Sequence, residues 1–129
     1  MRTRRSDSPK VVIVGPCASG KSSLAAALRD RGIDARVVAQ EHSIIRDLWH
    51  RQDPDLLIAL DVDLETLRAR RSPTWLASVY ESQRVRLAPA FMAADLVLDT
   101  SPLSLDGVIA TVLAWLEGKV ADRGADAIS

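Results

Sequence analysis

The chain has 129 residues, of which 47% are hydrophobic and 26% are charged, which is typical of one soluble globular domain. Its formal charges balance to zero, so an overall basic field that would attract nucleic acid or a membrane surface is excluded. The single cysteine, Cys17, excludes an internal disulfide, and we expect a cytoplasmic protein because no apolar run is long enough for a membrane span.

The first half of the chain predicts two strands and two helices. Residues 1–9 read as a disordered basic leader, and the apolar run 10–14 reads as a strand buried on both faces. A helix is expected over residues 21–31, with Gly32 as the residue that ends it. A second strand is expected over residues 35–41. A short amphipathic helix follows from Ser43, and its apolar stripe consists of Ile44, Ile45, Leu48 and Trp49.

The second half continues the alternation. We predict a third strand over residues 55–61, a helix over 63–71 capped by Asp63, and another helix after the Ser72–Pro73 turn. A fourth strand is expected over 95–99, followed by an amphipathic helix from Leu105 to about Gly118 and a polar tail over 119–129. Alternating strands and helices predict an α/β fold with a mostly parallel sheet of about four strands, covered by helices on both faces.

A glycine-rich segment joins the first strand to the first helix. Residues 15–22 match the pattern G-x-x-x-x-G-K-[ST] without a mismatch, which identifies the chain as a member of the P-loop NTPases. In such a loop, backbone N–H groups and the start of a helix bind phosphates, a lysine adds a positive charge, and a serine hydroxyl can bind magnesium. The predicted cofactors are therefore ATP or another nucleoside triphosphate and Mg²⁺, bound by Gly15, Pro16, Cys17, Ala18, Ser19, Gly20, Lys21, Ser22 and Ser23.

The absence of other motifs narrows the choice among the branches of this superfamily. The sequence has no asparagine, so the Asn-Lys-x-Asp motif of GTPases is absent, and it has neither the Leu-Ser-Gly-Gly-Gln segment of transporter ATPases nor a strand that ends in Asp-Glu. The Ser-Gly-Lys-Ser ending of the loop and the segments 54–71 and 95–104 resemble the nucleoside and nucleotide kinases. The resemblance implies a three-layer α/β/α P-loop fold and a kinase-like domain over residues 10–118.

Such kinases carry an arginine-bearing lid that excludes water and stabilises the charge on the transferred phosphoryl group. By this resemblance the candidates are Arg68, Arg70, Arg71, Arg84 and Arg86, and we single out Arg68, Arg71 and Arg84 as catalytic residues beside Lys21 of the loop. Arg68 and Arg71 lie one helical turn apart and so share a face. A solvated, charged helix face explains the same arginines equally well.

An acidic residue is also needed, either to take the proton of the acceptor or to hold magnesium. Glu41 ends the second predicted strand, at the sheet edge where α/β proteins bind ligands. It is our first candidate for the catalytic base and for the metal site with Ser22, and Asp61, at the end of the third strand, is the second. Glu41 could instead be an exposed residue before a helix cap at Ser43.

One departure from the kinase pattern concerns the acceptor. Residues 32–41 leave no room for the usual acceptor-binding insertion, and one strand of the usual five is missing. Two hypotheses remain: a magnesium-dependent kinase of a small metabolite, nucleoside or nucleotide, and a nucleotide-binding regulatory module with little or no turnover. The missing strand also suggests a sheet edge that a second copy could cover in a homodimer.

Overall fold

A computed structural model describes residues 9–128 of the chain, and the side chains of residues 9–121. In chain order its strands and helices are β1 (Lys10–Val14), α1 (Lys21–Asp30), β2 (Asp34–Val37), β3 (Leu56–Asp61), α2 (Leu64–Arg70), α3 (Ala77–Ala93), β4 (Leu96–Asp99) and α4 (Leu105–Ile128). Two short 3₁₀ turns, Gln40–His42 and His50–Gln52, lie between β2 and β3.

The four strands form one parallel sheet in the order β2-β1-β3-β4, which confirms the predicted α/β fold. Strand β1 therefore lies in the interior of the sheet, hydrogen-bonded to β2 on one side and β3 on the other. Because all strands are parallel, their carboxyl ends meet at one edge. The segments that follow all four strands start from that edge.

The apolar runs of β1 and β3 are explained by burial on both faces. Val11 and Ile13 pack in a cluster with side chains of α1 and α4, whereas Val12 and Val14 pack on the opposite face with α3. Side chains of a strand alternate between the two faces, so a strand covered on both sides must be apolar throughout. Helices thus cover both faces of the sheet in three layers, as predicted.

The segment after β2 differs from the prediction in two ways. The strand ends at Val37 rather than at Glu41, and Glu41 lies in the first 3₁₀ turn. The predicted helix from Ser43 is wrong: turns occupy this stretch, and Ile44 is 84% exposed. The buried side chain of Gln40 donates to the carbonyl of Ile45 and accepts from the backbone N–H of Trp49, so it binds backbone groups that an α-helix would need.

The predicted end of the last helix near Gly118 is also wrong, because α4 continues through residues 119–128 of the predicted tail. Glycine ends a helix when it adopts a left-handed conformation. Gly32 does so, with φ +79°, and it ends α1 as predicted, whereas Gly118 has no positive φ. The predicted leader lies outside the described residues except for Pro9. Among the described helices, none is long and apolar enough to cross a membrane.

Candidate functional site

The glycine-rich segment forms a tight loop between β1 and α1. A methyl group at Gly15 would lie 2.5 Å from the carbonyl oxygen of Leu60 and 2.6 Å from the Ser19 hydroxyl, so close approach to β3 requires glycine there. Gly20 has φ +91° but open space around it. Ala18 also has a positive φ, of 64°. The two glycines are thus needed for different reasons, space at Gly15 and backbone conformation at Gly20.

The start of α1 presents free backbone donors. Among the described residues, none accepts a hydrogen bond from the N–H groups of Gly20, Lys21, Ser22 or Ser23. The first turn of any helix has such N–H groups, and they carry its partial positive charge. Gly20, at the cap position, has no side chain that could satisfy them. These four amides are therefore available to an anion.

Two other backbone amides of the loop donate hydrogen bonds to groups of the protein itself. Ser19 N donates to the carbonyl of Pro16 at 3.2 Å, and Cys17 N donates to the side chain of Gln83 at 3.0 Å. The Ser19 hydroxyl is buried and has no hydrogen-bond partner among the described residues. A buried hydroxyl without a partner is costly and marks a place where a ligand or water could bind.

Lys21 points its ammonium into the loop. Its Nζ donates to the carbonyls of Gly15 and Pro16, at 2.8 and 3.2 Å, and to Oε2 of Glu41 at 2.7 Å. Glu41 is only 3% exposed, and its second oxygen, Oε1, is buried with no partner in the described part of the chain. The structure therefore brings Lys21 and Glu41, the first two catalytic candidates, into one largely buried ion pair.

Two arginines of the predicted lid reach the loop. A cavity of about 300 Å³ is lined by Ala18, Gly20, Lys21, Ser22, Ser23, Arg70 and Arg71. The Arg70 guanidinium donates to the carbonyls of Ala18 and Thr100, both at 2.9 Å, which connects α2 to the loop. Arg71 was singled out from the sequence, whereas Arg70 was only one of five candidates.

The other two singled-out arginines lie elsewhere. Arg68 donates to the carbonyl of Trp75, and it does not line the cavity next to the loop. Arg84 donates to Oδ1 of Asp61 at 2.8 Å and to the Tyr80 hydroxyl at 2.9 Å. Burial acts to lower the pKa of Arg84, but the interactions with Asp61 and Tyr80 together outweigh it, so the pKa is raised. Arg84 and Asp61 line a different cavity, of about 320 Å³, beside α3.

A third cavity adjoins the loop on the side of α4. It has a volume of about 330 Å³, and it shares Ala18, Gly20, Ser23 and Arg70 with the cavity described above. Its remaining lining is mixed, with three apolar side chains beside three hydroxyl-bearing residues: Leu103, Leu105 and Val108, and Ser19, Thr100 and Ser104. The segment after β4 therefore forms part of the surroundings of the loop.

The sequence reasoning missed Gln83. Its side chain is 2% exposed and contacts the loop from α3, 66 positions away. The sequence did contain an indication of this contact, because Gln83 lies between Tyr80 and Leu87 on the apolar stripe of the helix. A polar side chain at such a buried position usually has a specific hydrogen-bond partner. The aromatic side chains of Trp49, Trp75 and Tyr80 all belong to core clusters or pack against them.

Comparison with known proteins adds no assignment. Neither a scan of protein-family models nor a search of curated proteins finds a match to this chain.

Proposed function

We propose that this chain binds a nucleoside triphosphate, in the first place ATP, through residues 15–23, and that it transfers a phosphoryl group to a small acceptor. The observation that carries the proposal is the set of free amides at residues 20–23, which belong to the lining of a cavity that also contains Lys21, Arg70 and Arg71. Backbone donors, a helix start and three cations in one cavity favour a polyphosphate.

The ion pair of Lys21 suggests how the loop accepts phosphate. The ammonium is held by two carbonyls and by Glu41. A phosphate at the free amides would compete with Glu41 for this ammonium. Magnesium, held by the Ser22 hydroxyl and by Glu41 or a water bound to Glu41, would neutralise charge on the phosphates.

The cavity beside α4 suits the base of the nucleotide. It adjoins the loop through Arg70, and Leu103, Leu105 and Val108 offer apolar surface for a flat ring, while Thr100 and Ser104 offer hydroxyl groups. Leu105 is among the exposed large hydrophobic side chains, which fits a surface available to a ligand.

Glu41 is our candidate for the general base. Its carboxylate contacts Lys21 and lies in the turn after β2, at the edge of the sheet where β1 runs into the loop. Asp61 is a weaker candidate because Arg84 and the backbone N–H of Val62 already donate to its Oδ1.

A regulatory module with little turnover is the alternative. It is favoured by Arg68 and Arg84, because both donate to protein groups and neither lines the cavity next to the loop. In this case α2 would report the presence of nucleotide to a partner through the contacts of Arg70 with the loop.

The binding step is tested by Lys21→Ala, with Lys119→Ala as the matched control. Lys119 lies over the ring of Trp115 on α4 and is remote from the loop in sequence. We expect Lys21→Ala to weaken ATP binding about 10- to 100-fold, as the loss of a hydrogen bond to a charged group implies. Lys119→Ala should leave the calorimetric Kd unchanged. Equal affinities of both variants and wild type, with unchanged circular dichroism, would contradict the assignment of the loop.

The reaction is tested by ADP release with magnesium, ATP and a panel of hydroxyl- and phosphate-bearing metabolites. A kinase predicts that one metabolite strongly raises turnover. Tight nucleotide binding without turnover for any member of the panel would instead favour the regulatory module.

A further inference from the structure

Three potential metal ligands meet beside the loop. The Cys17 thiol, the Glu41 carboxylate and the His42 imidazole each offer a ligand atom, and these atoms all lie within 4.8 Å of one another. Cys17 Sγ is 3.7 Å from His42 Nε2, and His42 Nε2 is 3.7 Å from Glu41 Oε2. Cys17 belongs to the loop, whereas Glu41 and His42 belong to the turn after β2.

Two of the three separations are close to those of a tetrahedral zinc site. With Zn–S bonds of about 2.3 Å and Zn–N or Zn–O bonds of about 2.0–2.1 Å, the ligand atoms of such a site lie about 3.4–3.6 Å apart. The observed distances of 3.7 Å exceed this by only a few tenths of an ångström. His42 can make this adjustment easily because its side chain is 59% exposed.

The buried carboxylate gives an independent reason to expect a cation. Oε2 of Glu41 accepts from Lys21, but Oε1 is buried and has no partner among the described residues. Leaving a charged oxygen buried and unsatisfied is costly. A metal ion bound through both carboxylate oxygens would satisfy Oε1 and replace Lys21 at Oε2, while Lys21 keeps its hydrogen bonds to the carbonyls of Gly15 and Pro16.

Gln83 orients the sulfur atom of this group. Its Nε2 donates to Cys17 Sγ at 3.3 Å, while its Oε1 accepts from Cys17 N at 3.0 Å. A hydrogen bond from a neighbouring side chain is a common way to orient a metal ligand. The buried amide therefore fixes the position of the sulfur atom.

We propose that Cys17, Glu41 and His42 form a zinc-binding site, with water as the fourth ligand. Zinc is the expected ion because sulfur and imidazole ligands suit it, whereas magnesium prefers oxygen ligands. A thiolate and a carboxylate also balance the charge of a divalent ion.

The position of this site implies that zinc opposes nucleotide binding, a consequence that rests on the proposed function. Zinc would hold Cys17 inside the phosphate loop and would occupy Glu41, the proposed base. Because the coupling between two ligands is reciprocal, ATP must weaken zinc binding by the same factor as zinc weakens ATP binding.

The site is tested with the full chain, free of nucleotide, by titration with zinc against a chromophoric chelator and by substitution with cobalt(II). We expect one zinc per chain and, with cobalt, a sulfur-to-metal charge-transfer band. Cys17→Ser should abolish that band. His42→Ala should lower zinc affinity at least about tenfold. Loss of a residue that only hydrogen-bonds to a metal ligand already costs about that much, and loss of a ligand itself should cost more. The matched control is His50→Ala, because His50 is the other histidine of the chain and packs edge-on against Trp49.

The proposal is overturned if cobalt gives no thiolate-to-metal band in the folded wild type. That result is expected if Cys17 and His42 only form a hydrogen bond with each other and bind no metal. It is also overturned if His42→Ala and His50→Ala bind zinc equally well. A second titration then measures ATP affinity with and without zinc, and zinc should raise the apparent Kd in wild type but not in His42→Ala. Zinc binding in a chain that never binds ATP would refute the proposed function and leave the metal site intact.

Discussion

At the scale of single residues, the two glycines of the loop predict different effects of a methyl group. Gly15→Ala places a carbon 2.5 Å from the backbone oxygen of Leu60, so β1 or β3 must move, and we expect a loss of about 1–3 kcal/mol or more. Gly20→Ala meets no atom but must adopt φ +91°, which costs about 1–2 kcal/mol.

Asparagine tolerates the left-handed conformation, so Gly20→Asn should be less destabilised than Gly20→Ala. Gly118→Ala serves as the control, since it lies within α4 in open space and should gain about 0.5–1 kcal/mol. Chemical denaturation gives all four free energies of unfolding. If Gly15→Ala proved as stable as Gly118→Ala, the close contact between the loop and β3 would be refuted.

The Lys21–Glu41 pair predicts that binding and turnover respond differently to Glu41→Gln. Removing the carboxylate charge removes the competitor of phosphate for Lys21, so ATP affinity should stay equal or rise. Turnover should fall, because the proposed base is lost. Calorimetry and ADP release measure the two effects, with Asp61→Asn as the comparison. Unchanged turnover in Glu41→Gln and lost turnover in Asp61→Asn would transfer the role to Asp61.

The sequence could identify Lys21, Gly15 and Gly20 because one local motif contains them. It could not identify Gln83 or single out Arg70 as contacts of the loop. Their contacts depend on how α2 and α3 pack, and the partners are 66 and 52 positions apart. Local spacing carries no information about such distant pairs.

At the scale of elements, the cap of α2 predicts a pH-dependent contribution to stability. Asp63 Oδ1 accepts from Thr66 N at 2.7 Å, and this hydrogen bond lowers the pKa of Asp63 below its ordinary value of 3.8. Because the pKa of Asp63 is lower in the folded than in the unfolded state, its carboxylate stabilises the fold at a pH above the unfolded-state pKa. This stabilisation is lost as the pH falls through the folded-state pKa. The Tm difference between wild type and Asp63→Ala should therefore be largest near neutral pH and should narrow below about pH 4.

Asp63→Asn is the control for this prediction, because asparagine also caps helices and carries no charge that could titrate. Its Tm should stay close to that of wild type at neutral pH. A difference between wild type and Asp63→Ala that does not change from pH 7 to pH 3 would show that the ionised carboxylate is not the cap.

Sequence patterns predicted elements well where a local signal decides them. The apolar runs of β1 and β3 and the Asp63 cap are local signals, and the structure confirms them. The pattern after Ser43 failed because one buried side chain, Gln40, binds the backbone of the next turn. The predicted helix end at Gly118 was wrong because a glycine allows a helix to end but does not force it to end.

At the scale of the whole molecule, the order β2-β1-β3-β4 places the loop after an interior strand. The free amides, the Lys21–Glu41 pair and the Arg70 contact all meet there because β1, β2 and β3 end at the same edge. The alternation of elements predicted parallel strands, but it could not give their order. Strand order depends on long-range pairing, and connection rules only narrow the choice.

Ligand binding at this edge should stabilise the whole fold. A ligand that binds only the folded state at 100 times its Kd adds about 2.7 kcal/mol, so ATP with magnesium should raise the Tm by several degrees. Lys21→Ala should show a much smaller rise at the same ATP concentration, and Lys119→Ala should match wild type. An equal rise in all three proteins would mean that ATP stabilises the chain through another site.

The most direct test of the loop is the response of its individual backbone amides to ATP. In ¹⁵N-labelled protein, titration with magnesium and a non-hydrolysable ATP analogue should shift the amide resonances of Gly20, Lys21, Ser22 and Ser23 most strongly. Those of Gly32 and Gly118 should hardly change. If the largest shifts fall outside residues 15–23, or if those four amides do not respond at saturating nucleotide, the loop does not bind phosphate.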